Sequence, residues 1–214
     1  MIRKIKNLSF QIIESLIRNV SGVLGLKLRE FYYARRFGKC GKNLRVDIGV
    51  VFEGIADIFI GDNVWIDKYC VLLAGDVHIS KKKVTLKKSN VYIYKDGELH
   101  IGSNSHLSPQ CVIQAYGGVM IDEYFTASSG CKIYSLSNDV NKCKMGTYFS
   151  EEIFYVKSQI VIGKNVWLGL NSIVLGGNIE HDSFIAPNSL VINNITKNSF
   201  VMGSPAVRIK DRFK

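Results

Sequence analysis

The sequence lacks any long apolar run. Its N-terminal hydrophobic stretch, Phe10–Ile17, is interrupted by Gln11, Glu14 and Ser15, so it reads as neither a signal-peptide core nor a membrane span. Cysteine pairing is missing as well. The five cysteines (Cys40, Cys70, Cys111, Cys131 and Cys143) are odd in number and form no Cys-x-x-Cys motif, which argues against a zinc ribbon or a dithiol redox site. A reduced, cytoplasmic setting fits that usage. Histidine is scarce, and no His, Cys and Asp residues stand at ligand spacing, so no metal is expected. Acidic residues are also short: 18 Asp and Glu face 28 Lys and Arg, a formal charge of +10. Such a balance suits an acidic partner, whether nucleic acid, anionic lipid or a phosphorylated cofactor. No nucleic-acid-binding module is recognisable, and Lys81–Lys83 reads as a solvated loop, so nucleic acid is the partner not expected.

What the chain has is a period. An aliphatic residue recurs every six positions: Ile60, Ile66, Leu72; Ile101, Leu107, Ile113; Ile121, Ala127, Ile133; Ile162, Leu168, Val174; then Ile179, Ile185, Val191. A helix repeats at 3.6 and a half-buried strand at 2, so neither explains six. The rest of the hexad agrees. Four residues after each anchor the side chain is small, as at Val64, Cys70, Ser105, Cys111, Cys131, Val166, Ser172, Ser183 and Ser189, with Phe125 the exception. Three after it come Asn63, Asn104, Asn165, Asn171 and Asn188; one after it come Gly61, Gly102, Gly163 and Gly169.

One architecture accounts for all of this. Short strands end at sharp corners, and three sides close a triangular coil of about 18 residues whose identical positions stack on the next coil. The aliphatic anchor fills the interior, the small residue fits where space is tight, and Asn or Gly turns the corner, Asn being the non-glycine residue that best tolerates a left-handed backbone. Cys70, Cys111 and Cys131 then read as small interior residues. The fold class is mainly β, a parallel β-helix of hexapeptide repeats over residues 41–206.

Two insertions break the period. Residues 76–97 read as an irregular coil with alternating Val84/Leu86 and Val91/Ile93, and residues 134–159 as a long loop excursion, the better candidate for function. Residues 1–40 read as a helical segment, with Ile2, Ile5, Phe10, Ile13, Leu16 and Ile17 on one face. It serves as a cap on the open coil end, the alternative being peripheral contact with the inner membrane. Residues 207–214 read as a C-terminal tail.

The stretch Ile162-Gly-Lys-Asn-Val-Trp-Leu-Gly-Leu-Asn-Ser-Ile-Val174, continued by Ile185-Ala-Pro-Asn-Ser-Leu-Val191 and Asn198-Ser-Phe-Val-Met-Gly-Ser-Pro-Ala-Val-Arg-Ile-Lys210, resembles the hexapeptide-repeat acyltransferases. The likeness covers roughly residues 38–210 and points to the O-acetyltransferases of bacterial polysaccharide synthesis. It implies a left-handed winding, a homotrimer, and acetyl-CoA bound in a groove between subunits. It further implies transfer of an acetyl group to a saccharide hydroxyl, the acceptor being a free, nucleotide-linked or oligomeric sugar. N-acetylation of an amino sugar is the alternative. Carried onto this chain, the coenzyme groove falls to Trp167, Gly169, Gly176, Gly177, Ala186 and Asn188, with Arg208 and Lys210 toward the phosphates.

The chain departs from the family at one point. The family's general base is a loop histidine, and the matching stretch here is Lys132-Ile-Tyr-Ser-Leu-Ser-Asn-Asp-Val140, with Asn138 at that position and Asp139 the other match. Asparagine orients but takes no proton near neutrality. Three readings follow: a disabling substitution, natural or introduced, that leaves a scaffold; a weaker base from Asp139, Glu151 or Glu152; or a histidine recruited from elsewhere. Of the four histidines, His106, at an outward hexad position, suits the last reading best.

Overall fold

A computed structural model describes residues 12–75, 83–86, 95–141 and 154–214. The period of six becomes three parallel sheets, one on each side of a triangular coil. The first side stacks Lys39–Cys40, Ile58–Ile60, Leu99–Ile101, Val119–Ile121 and Ile160–Ile162. The second stacks Arg45–Val46, Trp65–Ile66, His106–Leu107, Thr126–Ala127, Trp167–Leu168, Phe184–Ile185 and Ser199–Gly203. The third stacks Val51–Glu53, Val71–Leu73, Val112–Gln114, Lys132–Tyr134, Ile173–Val174 and Leu190–Val191.

Register puts like on like. Ile60 pairs with Ile101, Ile101 with Ile121, and Ile121 with Ile162; Leu72, Ile113, Ile133, Val174 and Val191 form a second interior ladder. Every anchor of the repeat is buried. Each Ile, Leu or Val so enclosed stabilises the fold by about 1.5–3 kcal/mol, which is what holds coils of such short strands together. Phe125, the bulky exception, is fully buried, and its coil carries the smallest anchor, Ala127.

The two corner residues do different jobs. Asn63, Asn104, Asn165, Asn171 and Asn188 all have φ between 55° and 59°, the left-handed region, and Tyr69, Gln110, Tyr124 and Asp182 at the same hexad position have φ between 60° and 63°. Consecutive corners also bond to each other: Asn43 Nδ2 donates to Asn63 Oδ1, and Asn63 Nδ2 to Asn104 Oδ1, both at 2.9 Å. The glycines one place after the anchor do not turn the corner, against expectation, since their φ is not positive. They permit close stacking instead. A Cβ on Gly102 would lie 2.5 Å from the carbonyl carbon of Asp122, and one on Gly61 2.6 Å from the amide nitrogen of Ser103.

The excursion is not a bare loop at its base. Leu136–Asn138 runs antiparallel to Phe154–Lys157, which pairs in parallel with Lys83–Leu86 from the other insertion. The two interruptions of the repeat therefore join as one three-stranded side sheet. Of the irregular coil expected over residues 76–97, Lys83–Leu86 is a strand, in keeping with the alternation of Val84 and Leu86, and residues 76–82 and 87–94, with Val91 and Ile93, lie outside the described residues. The neck is pinned by Ser135, buried at 1%, whose Oγ donates to the Gln114 carbonyl and accepts from the Gly117 amide, each at 2.8 Å.

At the N-terminus, residues 12–18 are helical and a second helix covers Gly22–Ala34, with a break between them. Of the aliphatic face expected, Ile2, Ile5 and Phe10 lie outside the described residues, Ile17 is half-buried, and Ile13 and Leu16 are 42% and 68% exposed, while Gly25, Arg29 and Tyr33 of the second helix are buried. Arg29 donates to the Val46, Ile17 and Val20 carbonyls at 3.1, 3.2 and 2.7 Å. It ties both helices to the first coil, and charge-assisted bonds of this kind are worth about 1.5–3 kcal/mol. At the other end the expected tail is a strand. Ala206–Asp211 folds back antiparallel on Ser199–Gly203 through a cis Ser204–Pro205 bond.

Candidate functional site

Outward residues of the second side form one continuous row. By register it runs Arg45, Trp65, His106, Thr126, Trp167, Phe184, Phe200 and Lys210. The Arg45 guanidinium stands 4.1 Å from the Trp65 ring, and Trp65 lies 4.8 Å from His106. Farther along, Trp167 meets Phe184 edge-on at 5.6 Å, Phe184 meets Phe200 at 5.1 Å, and the Lys210 ammonium sits 5.2 Å from Phe200. Trp167 is 45% exposed, its indole N–H donating to Ser128 Oγ at 2.9 Å. The ring is thus fixed in orientation while its face stays open.

Within that row His106 is paired. Its Nε2 lies 2.9 Å from Asp67 Oδ2 on the preceding coil. With the ring neutral and Nε2 protonated toward Asp67, Nδ1 keeps a lone pair able to accept a proton. The other described histidines are also engaged: His100 with Glu98 at 2.9 Å and His181 with Asp182 at 2.8 Å.

The residues expected to wall a coenzyme groove divide into two groups. Trp167 and Gly169, with Ala186 and Asn188 on the next coil, occupy the second side and its following corner. Gly176 and Gly177, with φ of 100° and 81°, sit at the far end of the third side, a full edge of the triangle away. A Cβ on Gly177 would meet the Asn193 carbonyl oxygen at 2.4 Å, so corner stacking explains that glycine. Of the two cations, Lys210 extends the aromatic row, whereas Arg208 bonds Ser199 Oγ at 3.0 Å and pairs with Asp211. Sequence reasoning missed Phe184 and Phe200, which link Trp167 to Lys210; coil register was the signal that could have found them.

Asn138 closes the outer strand of the side sheet, exposed and opposite Tyr155. Asp139 Oδ1 accepts from the Asn141 amide at 3.2 Å, a local turn contact. Glu151 and Glu152 lie outside the described residues. Cys70, Cys111 and Cys131 are buried as expected, each sulfur bonding a backbone carbonyl of the next coil, at 3.2, 3.2 and 3.1 Å. The bond with Cys111, together with burial, pushes the Cys131 thiol far above its ordinary range. It is inert packing.

One further opening, unforeseen in the sequence, is a cleft of about 700 Å³ on the first side over the last coils, where His181, Asp182 and Lys164 meet Ile179 and Ile195. Its polar groups are engaged: Asp182 bonds His181 within the cleft at 2.8 Å and accepts from Asn165 beside it at 2.6 Å, and Lys164 pairs with Glu123 at 2.5 Å. The bond from His181, followed by that from Asn165, holds the Asp182 carboxyl below its ordinary value. Among the described residues no group of three His, Cys, Asp or Glu is placed to hold a metal ion.

A triangular β-helix with left-handed corners and an outward excursion is the architecture of hexapeptide-repeat proteins, and solved structures share it. The chain is similar to AntD, an N-acyltransferase from Bacillus cereus solved with dTDP and 3-hydroxybutyryl-CoA, at a TM-score of 0.66 and 20% identity over 86% of this chain and 87% of that one. It is also similar to a maltose O-acetyltransferase from Clostridium difficile 630, at a TM-score of 0.59 and 18% identity over 94% and 83%. In sequence it is 29% identical over 187 residues to the dTDP-4-amino-4,6-dideoxy-D-glucose acyltransferase of Escherichia coli, covering 83% of this chain and 84% of the relative. No protein-family model matches the chain. The protein is a left-handed β-helix of hexapeptide repeats, and the proteins it is similar to are acyltransferases built on that fold.

Proposed function

We propose that this protein transfers an acetyl group from acetyl-CoA to the amino group of a nucleotide-linked amino sugar. Asn138 carries the reading. A hydroxyl must lose its proton as it attacks a thioester, and an exposed asparagine at the position of the family's histidine cannot take it. A neutral amine attacks with its own lone pair. The C–N bond forms, the C–S bond breaks, and the displaced proton leaves with the thiolate as free coenzyme A. The name of the E. coli relative, an acyltransferase of a dTDP-linked amino sugar, supports the same acceptor class.

In this reading the coenzyme lies along the second side. The thin pantetheine arm passes beside Trp167 and Asn188, over the close-packed backbone that Gly169 and Ala186 allow, and Lys210 and Arg208 offset the phosphate charge. The groove is completed by a second copy of the chain in a homotrimer.

A second reading, O-acetylation of a saccharide hydroxyl for surface polysaccharide, rests on the His106–Asp67 pair as the base. The two separate in a thiol-release assay with acetyl-CoA. The acceptors are a dTDP-4-amino-4,6-dideoxy sugar and its 4-hydroxy counterpart, each product being weighed for one added acetyl group. The amino-sugar reading expects turnover with the amine alone, rising with pH as the amine loses its proton. Turnover only with the hydroxyl sugar reverses the assignment. Silence over a broad sugar panel leaves the scaffold reading.

A further inference from the structure

The N-terminal helices have two faces, and only one is used by the fold. Gly25, Arg29 and Tyr33 pack on the first coil. Away from it project Leu16, Val23, Leu24 and Phe31, which are 68%, 75%, 68% and 63% exposed. Large apolar side chains gathered at such exposure on two consecutive helices mark a contact surface. What they contact is indicated by charge. Residues 1–45 hold eleven Lys and Arg against Glu14 and Glu30 alone, whereas the rest of the chain is nearly balanced at 17 against 16. The cations are interleaved with the apolar stripe: the Arg35 guanidinium lies 3.5 Å over the Phe31 ring, and Lys27, 70% exposed, bridges to Glu30 at 2.7 Å. Among the described residues no helix is long and apolar enough to cross a membrane.

We propose that this face seats the protein on an anionic lipid surface, with Leu16, Val23, Leu24 and Phe31 entering the headgroup boundary and Lys27 and Arg35 meeting lipid phosphates. An amphipathic segment with cations beside its apolar stripe lies in the interface plane and binds through both terms together. The acyl-transfer reading is independent of this.

The test is co-sedimentation of the full chain with vesicles. Binding to mixed phosphatidylglycerol and phosphatidylcholine vesicles is expected, weakening by about tenfold or more on pure phosphatidylcholine and falling with added salt. The Leu24→Glu/Phe31→Glu variant should lose on the order of tenfold in partitioning with an unchanged melting curve, because neither side chain is buried. Lys27→Ala/Arg35→Ala should lose anionic selectivity while keeping its fold. Equal binding by wild type and Leu24→Glu/Phe31→Glu, or no preference for anionic vesicles, would overturn the proposal. So would a smaller mass for that variant by light scattering without vesicles, which would mean that a second copy covers the face.

Discussion

His106 and Asp67 sit on adjacent coils, 39 residues apart in sequence, with Nε2 and Oδ2 separated by 2.9 Å. The pair is built by register alone. Trp65 pairs with His106 and Ile66 with Leu107, so the residue after one anchor reaches the residue before the next. Such a pair fixes the ring's orientation and gives a base its tautomer.

Its importance to catalysis divides the two readings of function. If the acceptor is an amine, His106→Gln should leave kcat within about threefold of wild type. If it is a hydroxyl, removal of the base should cost roughly 10²–10⁴-fold. Steady-state rates of the variant with its preferred acceptor decide this, and Asp67→Asn should follow His106→Gln in direction.

The complementary change is Asn138→His. The side chain is exposed on an outer strand, so the imidazole is accommodated with little effect on stability, within about 0.5 kcal/mol. Introducing a base there should raise turnover of hydroxyl acceptors by tenfold or more above background and leave the amine rate almost unchanged. An unchanged hydroxyl rate would remove Asn138 from the site.

How much of this was legible beforehand follows the range of the interactions. The interior ladders could be read because each coil repeats the same local demand: an aliphatic inside, then a small residue, then a left-handed corner. Asparagine announced that corner, but Tyr69, Gln110, Tyr124 and Asp182 adopt it too, because stacking on neighbouring corners overrides local preference. The side sheet was not legible. Its strands Lys83–Leu86 and Phe154–Lys157 come from separate insertions and meet only after the coils between them have wound. Arg29 was also missed, since a charged side chain is assigned to the surface until three backbone carbonyls are found converging on it. For the site, Trp167 and Lys210 could be named from motif resemblance, but the aromatic row joining them could not.

That row yields a binding prediction. Trp167→Ala removes an indole held by Ser128 and by the edge of Phe184, in a position about half open to solvent. The stability loss should stay near 1 kcal/mol, whereas KM for acetyl-CoA should rise by about tenfold with kcat little changed, the signature of lost uniform binding. Initial rates over a range of acetyl-CoA concentrations measure both. A fall in kcat at constant KM would instead place Trp167 with the reacting atoms.

The last prediction concerns the glycines one place after the anchors, whose task is to let coils approach. Gly102→Ala puts a methyl 2.5 Å from both the Asp122 carbonyl carbon and the Glu123 amide nitrogen, backbone atoms that cannot rotate away. Two coils must part, and overpacking of this kind costs about 1–3 kcal/mol or more. Gly22→Ala is the control. There φ is +74° and nothing lies within 4 Å of the new methyl, so the cost is conformational only, about 1–2 kcal/mol, and falls at the start of a helix outside the coils. Thermal unfolding should therefore show Gly102→Ala lowering the midpoint by several degrees, at about 2–4 °C per kcal/mol for a chain of this size, and by more than Gly22→Ala. The reverse order would mean that coil stacking tolerates the extra carbon, and the recurrence of glycine after the anchors would then need another cause.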